Sequence, residues 1–166
     1  MQKSDIQLLF DYNYWANHRV LTAAAKVSQA DFLAPTNQSW GSLHGTLLHV
    51  LGAEWVWRAR FQEKISPRTL LAEQDFPSLA AIKDRWQTEE QLMRVYLDSL
   101  NDEQLNQPIA YESLSGKPYT TVLWHILAHT VNHGTQHRAQ CAVILTDLGA
   151  SPGDLDLIVY LREQKT

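Results

Sequence analysis

The chain has 166 residues, 45% of them hydrophobic and 19% charged, with a formal net charge of −4 when its seven histidines are counted as neutral. That length and balance suit one compact domain over residues 1–166 and exclude a disordered chain or a coiled-coil rod; the mild acidity, with no basic run or basic face, argues against nucleic-acid partners. One cysteine, Cys141, excludes an internal disulfide framework and suits a reducing cytoplasm, and neither a signal segment nor an apolar run of about 18 residues marks export or a membrane span.

The spacing predicts a helix over residues 4–26, where Ile6, Leu9, Phe10, Tyr14, Val20, Leu21 and Ala24 recur three and four apart, with Ser4 and Gln7 as a capping box. Residues 28–40 read as loop, with Ser28 and Asp31 opening one short turn. A second helix is expected from Ser42 to Glu63. It is apolar on two sides, as a helix with two neighbours in a bundle would be. After a connection over 65–77, a third helix is expected from Ser78 to Leu100, with Ile82, Trp86, Met93 and Leu97 in its stripe. The connection over 101–119 holds short β-type runs that support at most a weak hairpin. A fourth, long helix is expected from Thr120 to Leu148, capped by Gly149, and a short one from Asp154 to Arg162. The predicted fold is all-α: four main helices, mostly antiparallel, and a short C-terminal one.

Four of the seven histidines, His125, His129, His133 and His137, stand four residues apart on the fourth helix. A pair at that spacing presents two imidazoles on one side, as in helical zinc motifs. All four cannot meet one ion, because each step overshoots a full turn by about 40° and the drift from the first to the last is roughly 120°. His133 and His137 fill the gap in the apolar stripe between Thr130 and Cys141, whereas His129 lies on its flank and His125 points away. Imidazoles where the pattern wants Leu or Val need hydrogen bonds or a metal, and a metal answers for both at once. The third ligand must come from another helix. His18, His44 and His49 are the candidates: His18 sits in a polar run, His44 near a helix start where it reads as exposed, and His49 mid-helix near Gly52 is the better buried of the three.

Four stretches of this chain resemble the DinB family, also described as DinB/YfiT-like metalloenzymes. They are YNYWANHRVL at 12–21, SLHGTLLHVLGAEWVW at 42–57, HTVNHGTQHRAQ at 129–140 and PGDLDLIVYLRE at 152–163. The resemblance implies a metal triad of His49, His133 and His137, a four-helix bundle in up-down-down-up order and a homodimer. It further implies zinc or nickel as the ion and a low-molecular-weight thiol as co-substrate of an S-transferase-like reaction on a small molecule. Three imidazoles with an open position suit catalysis better than a structural role, since structural zinc sites are closed by four protein ligands. The alternatives are metal-dependent hydrolysis, for which Glu54 or a pocket Tyr is a candidate base that spacing does not signal, and a non-catalytic metal-binding stress-response protein. Trp15, Trp40, Trp55 and Trp57 are candidate pocket walls, with bundle core as the commoner role for such residues. Catalytic residues, the metal's identity and the substrate are not legible at this level; three imidazoles suit zinc, nickel, copper, iron and cobalt alike.

Overall fold

A computed structural model describes residues 1–37 and 40–164. Its first helix, α1, runs Lys3–Ala24. It opens two residues earlier than the Ser4–Gln7 signal suggests, with the Gln2 backbone N–H donating to Asp5 Oδ2 at 2.9 Å. The short turn after it forms as expected: α2 spans Gln29–Leu33, and Ser28 Oγ accepts from the Asp31 amide. The next two long helices start where a serine takes up a free amide. In α3, Leu43–Arg58, Ser42 Oγ accepts from Gly45 N at 2.9 Å; in α4, Leu79–Ser99, Ser78 Oγ accepts from Ala81 N at 3.3 Å. The predicted second helix does not stay α-helical to Glu63. Beyond Arg58 it becomes a π turn over Ala59–Glu63, closed by the Ile65 amide on the Ala59 carbonyl and by Lys64 in the left-handed region at φ 60°.

After the one-turn α5, Asp102–Leu105, the weak hairpin signal proves real. Strand β1, Pro108–Glu112, pairs antiparallel with β2, Pro118–Val122, in a register running from Pro108 opposite Val122 to Glu112 opposite Pro118. The fold is therefore mostly helical with one two-stranded sheet, rather than purely α. Because Thr120 to Val122 are taken by β2, the long helix α6 begins at Leu123 and runs to Asp147, three residues later than the periodicity alone suggests. Gly149, at φ 72°, takes the left-handed position just beyond it. The last helix, α7, spans Leu157–Glu163 and starts later than Asp154.

Helix α1 packs on α6 and α4, and α3 packs on α6 and α4, so each long helix has two long neighbours. The core falls into two clusters. One gathers Val20, Leu21, Leu43, Leu47, Leu51, Ile82, Trp86, Ile144 and Leu145; the other gathers Ile6, Phe10, Met93, Leu97, Leu123 and Leu127. Between those runs each long helix carries buried polar residues: Asn13 and Asn17 on α1, Glu54 on α3, Glu89 on α4, and His137 with Arg138 on α6. A polar layer thus crosses the protein between two apolar ones. Among the described residues no helix is long and apolar enough to cross a membrane.

Candidate metal centre

Helix α3 contributes His49, and one turn of α6 contributes His133 and His137. The three rings converge: one ligand atom from each lies within 4.8 Å of the others, and His49 Nε2 stands 3.0 Å from His133 Nε2. Ring centroids are 4.9 Å apart for His49 and His133, 4.6 Å for His49 and His137, and 4.5 Å for His133 and His137. The stripe argument for the pair and the preference for His49 therefore meet in one place. Among the described residues this is the group of His, Cys, Asp and Glu side chains that could hold a metal ion.

The chemistry of the donor set fits an ion. His137 Nδ1 faces Gln140 Oε1 at 2.7 Å. That oxygen can only accept, so Nδ1 carries the proton and Nε2 keeps its lone pair for a ligand. A single shared proton would join His49 to His133 and leave His137 out; a cation at the usual nitrogen–metal distance of about 2.0–2.1 Å takes all three lone pairs. His49 also keeps a buried Nδ1 with no hydrogen-bond partner among the described residues. Burial, followed by the neighbouring rings, pushes His49 down to about 3 and His133 down to about 4, so both are neutral and ready to ligate near pH 7.

The sign of that shift gives a testable pH dependence. In the metal-free protein the folded values lie below the unfolded one of about 6.5, so below that pH the unfolded chain binds more protons than the folded one. Stability of the metal-free form is expected to fall as the pH drops from about 6.5 toward the folded values of about 4 and 3, and His133→Leu is expected to flatten that slope. Denaturant midpoints at a series of pH values in the presence of chelator measure it; a flat profile for the parent protein would refute the assignment of neutral buried rings.

Trp40 covers one side of the triad. Its indole stacks on His49 with centroids 3.6 Å apart and planes 14° from parallel, and the residue is still 40% exposed. Gly45 makes that possible. A Cβ there would sit 2.2 Å from the Trp40 carbonyl oxygen, so only glycine lets that backbone rest on the first turn of α3. Of the other candidate walls, Trp57 meets His129 edge-on at 5.4 Å, while Trp15 packs on Tyr160 and donates to Glu163. None of Trp15, Trp40, Trp55 and Trp57 is fully buried, so none is plain core.

The remaining histidines sort clearly. His125 is exposed and packs on its neighbour Trp124. His129 is exposed on the flank, 5.9 Å from His133 ring to ring. His18 is exposed as expected and pairs with Glu90 at 3.0 Å; it lines a cleft of about 540 Å³ with Asn17, Trp86 and Glu90 that contains none of the three converging rings. His44 corrects the expectation of exposure: it is 4% exposed, packs edge-on against Phe32 and bonds the Phe76 carbonyl through Nε2 at 2.7 Å. A partner on the distant 65–77 connection leaves no periodic trace. That connection also reaches Gly52, where Leu70 and Leu71 lie within van der Waals range of an added Cβ.

A buried polar clamp sits next to the triad. Glu54 Oε1 accepts from Asn13 Nδ2 at 2.8 Å and Asn17 Nδ2 at 3.0 Å, and Oε2 accepts from the Trp86 indole at 2.8 Å. The oxygens of the same two asparagines accept from Arg138 Nη1. Two carboxamides on successive turns of α1 therefore bridge a carboxylate on α3 to a guanidinium on α6. Gly134 leaves room for it: a Cβ there would meet Arg138 Nη1 at 2.6 Å and Asn13 Oδ1 at 2.9 Å. Burial pushes the Glu54 carboxyl up, against the donated hydrogen bonds and the charge of Arg138. A carboxylate tied this way is a structural member and a poor general base. Sequence reasoning saw Glu54 only as a base and missed Asn13 and Asn17, although two asparagines four apart inside an apolar helix were a visible signal. Cys141 is sealed, its thiol pushed up to about 12 by burial, so it offers no thiolate to an ion or a substrate.

Comparison with known proteins bears on the family and the fold. A model of the DinB family matches residues 1–166. Protein DinB of Bacillus subtilis (strain 168) is 26% identical over 162 residues, covering 95% of this chain and 94% of that protein. A crystal structure described as a conserved protein of locus from Enterococcus faecalis superposes with a TM-score of 0.61 at 13% identity, over 84% of this chain and 94% of that one; this likeness shows the fold alone.

Proposed function

Since the chain belongs to the DinB family, we propose that it is a metalloenzyme that holds one divalent ion, zinc or nickel, on His49, His133 and His137 and joins a low-molecular-weight thiol to an electrophilic small molecule. The observation that carries this reading is the convergence of three imidazoles whose ligand atoms lie within 4.8 Å of one another, a group that no fourth His, Cys, Asp or Glu joins among the described residues. A closed structural site would have four protein ligands. The ion, when bound, ionises a thiol at neutral pH.

The chain's own residues do the rest. Gln140 keeps the His137 proton on Nδ1 and aims Nε2 inward. Trp40 keeps water off one face of His49. The Glu54–Asn13–Asn17–Arg138 clamp holds α3 and α6 in register, and with them the ligands five residues from Glu54 and one from Arg138. One observation favours thiol transfer over hydrolysis: Glu54, the candidate base, is fully engaged. The protein's single thiol is inaccessible, so a thiol nucleophile has to be a separate molecule. The up-down-down-up order of α1, α3, α4 and α6 and assembly as a homodimer belong to the same reading, the first supported by the ring of pairwise packing α1–α6–α3–α4.

The decisive experiment offers bacillithiol, mycothiol, glutathione and coenzyme A in turn with a reporter electrophile, with and without chelator. Turnover with at least one thiol that chelator abolishes is expected. Absence of chelator-sensitive turnover with every thiol would sink the reading in favour of pure binding or hydrolysis.

A further inference from the structure

Arg60 is 6% exposed, and it makes no hydrogen bond or ion pair with any described residue. Its Nε is buried without a partner. The other buried arginines have partners: Arg58 is held by Glu89 and Glu63, and Arg138, whose Nε is likewise unpaired, is held through its terminal nitrogens by Asn13, Asn17 and Thr135. A buried guanidinium with no acceptor is costly and uncommon. The contacts Arg60 does make are to aromatic faces, with Cζ 4.5 Å from the Trp57 ring centroid and 5.2 Å from that of Tyr111. Such contacts hold the cation by its π side. They leave the in-plane N–H donors, whose fork matches the two oxygens of a carboxylate, without acceptors among the described residues, the Nε–H buried as well.

The backbone is irregular at this point. Arg60 lies in the π turn Ala59–Glu63, which shifts it out of the α pattern of α3, and Lys64 ends that turn in the left-handed region. Single π turns cluster at functional sites, and a non-glycine residue at positive φ costs stability that the surroundings must offset. The location is also informative. The Trp57 indole meets His129 at 5.4 Å, and His129 stands one turn of α6 from His133. Eleven residues separate Arg60 from His49, about 16 Å along the axis and three turns, so the two stand on nearly the same side of the helix, and the longer arginine side chain, leaning toward the N-terminus, shortens that gap to roughly 10–15 Å.

We propose that Arg60, framed by Trp57 and Tyr111, is an oxyanion subsite of the metal centre, which binds a carboxylate of the same small molecule whose thiol the centre holds. The proposal rests on the thiol reading above and narrows it to thiols that carry a carboxylate roughly 10–15 Å from sulfur.

The test uses protein loaded with cobalt(II), whose thiolate charge-transfer band reports sulfur at the ion. ω-Mercaptoalkanoates of increasing length are titrated beside the ω-mercaptoalkanols of equal length. At the fitting length the acid is expected to bind about tenfold more tightly than the alcohol, a preference that Arg60→Gln reduces to within about twofold while cobalt content and alcohol affinity stay unchanged. Should the glutamine variant fail to fold, Arg60→Lys, which keeps the charge but loses the fork, is expected to lower the preference. Equal affinity of acid and alcohol at every length, or a preference indifferent to both variants, overturns the subsite and leaves the thiol reading standing. If neither series reaches the ion, the thiol reading falls. The sulfur-free alkanoates, followed by the Arg60 Nε–H resonance, then decide the subsite alone: a saturable shift supports it and no shift overturns it.

Discussion

His133→Ala and His137→Ala are each expected to take the purified protein from stoichiometric metal to almost none, read by elemental mass spectrometry after gel filtration. Either change leaves two imidazoles on an ion that has three protein donors within 4.8 Å of one another, and Cys141 cannot move in as a substitute because it is sealed in the core. His125→Ala, on the same helix but exposed and turned away, is expected to keep the full complement. Gln140→Ala falls between, with affinity lower by about 10–100-fold, because the His137 tautomer loses its partner. Full metal retention in His133→Ala or His137→Ala, or loss in His125→Ala, would mean that the wrong face of α6 was chosen.

Arg138→Met is expected to destabilise the protein by about 3–5 kcal/mol, since it strands the buried Glu54 carboxylate and two asparagine oxygens. For a chain of this size that is a fall in melting temperature of roughly 10 °C. Arg138→Met combined with Glu54→Leu should cost clearly less than the sum of the single changes, because both charges then leave the interior together. Additive costs in thermal and denaturant melts would show that the carboxamides of Asn13 and Asn17 do not couple the two groups. Of the two large effects, the histidine change acts on the ion with the fold intact, and the arginine change acts on the fold itself.

What the sequence revealed follows from where periodicity carries information. The long helices were readable because each has an apolar stripe, and Ser42 and Ser78 marked two of their starts. Helical drift and the stripe together singled out His133 and His137 from a ladder of four. The third histidine was harder, since a lone His mid-helix has no partner in its own segment. Periodicity only preferred His49, and the resemblance to a family completed the choice. The features that escaped depend on contacts across the chain or on backbone without a period. His44 is buried because the Phe76 carbonyl reaches it from a loop. Trp40 stacks on His49 because Gly45 admits its backbone, a relation that no helix pattern encodes. The π turn at Ala59–Glu63 carries no compositional mark, so Arg60 read as one more residue of a continuous helix. The hairpin of β1 and β2 was underweighted because its two strands are short and largely exposed.

The clamp of Asn13, Asn17, Glu54 and Arg138 is complete without an ion. In small zinc domains the ion organises the chain, so that stripping it unfolds the protein and loading is a folding reaction. Here the ligands are already gathered by groups that no chelator removes. Metal exchange is therefore expected to be a reversible event of an intact molecule, not limited by refolding. On the metal reading proposed above, such a protein would be emptied and refilled with different metals without unfolding.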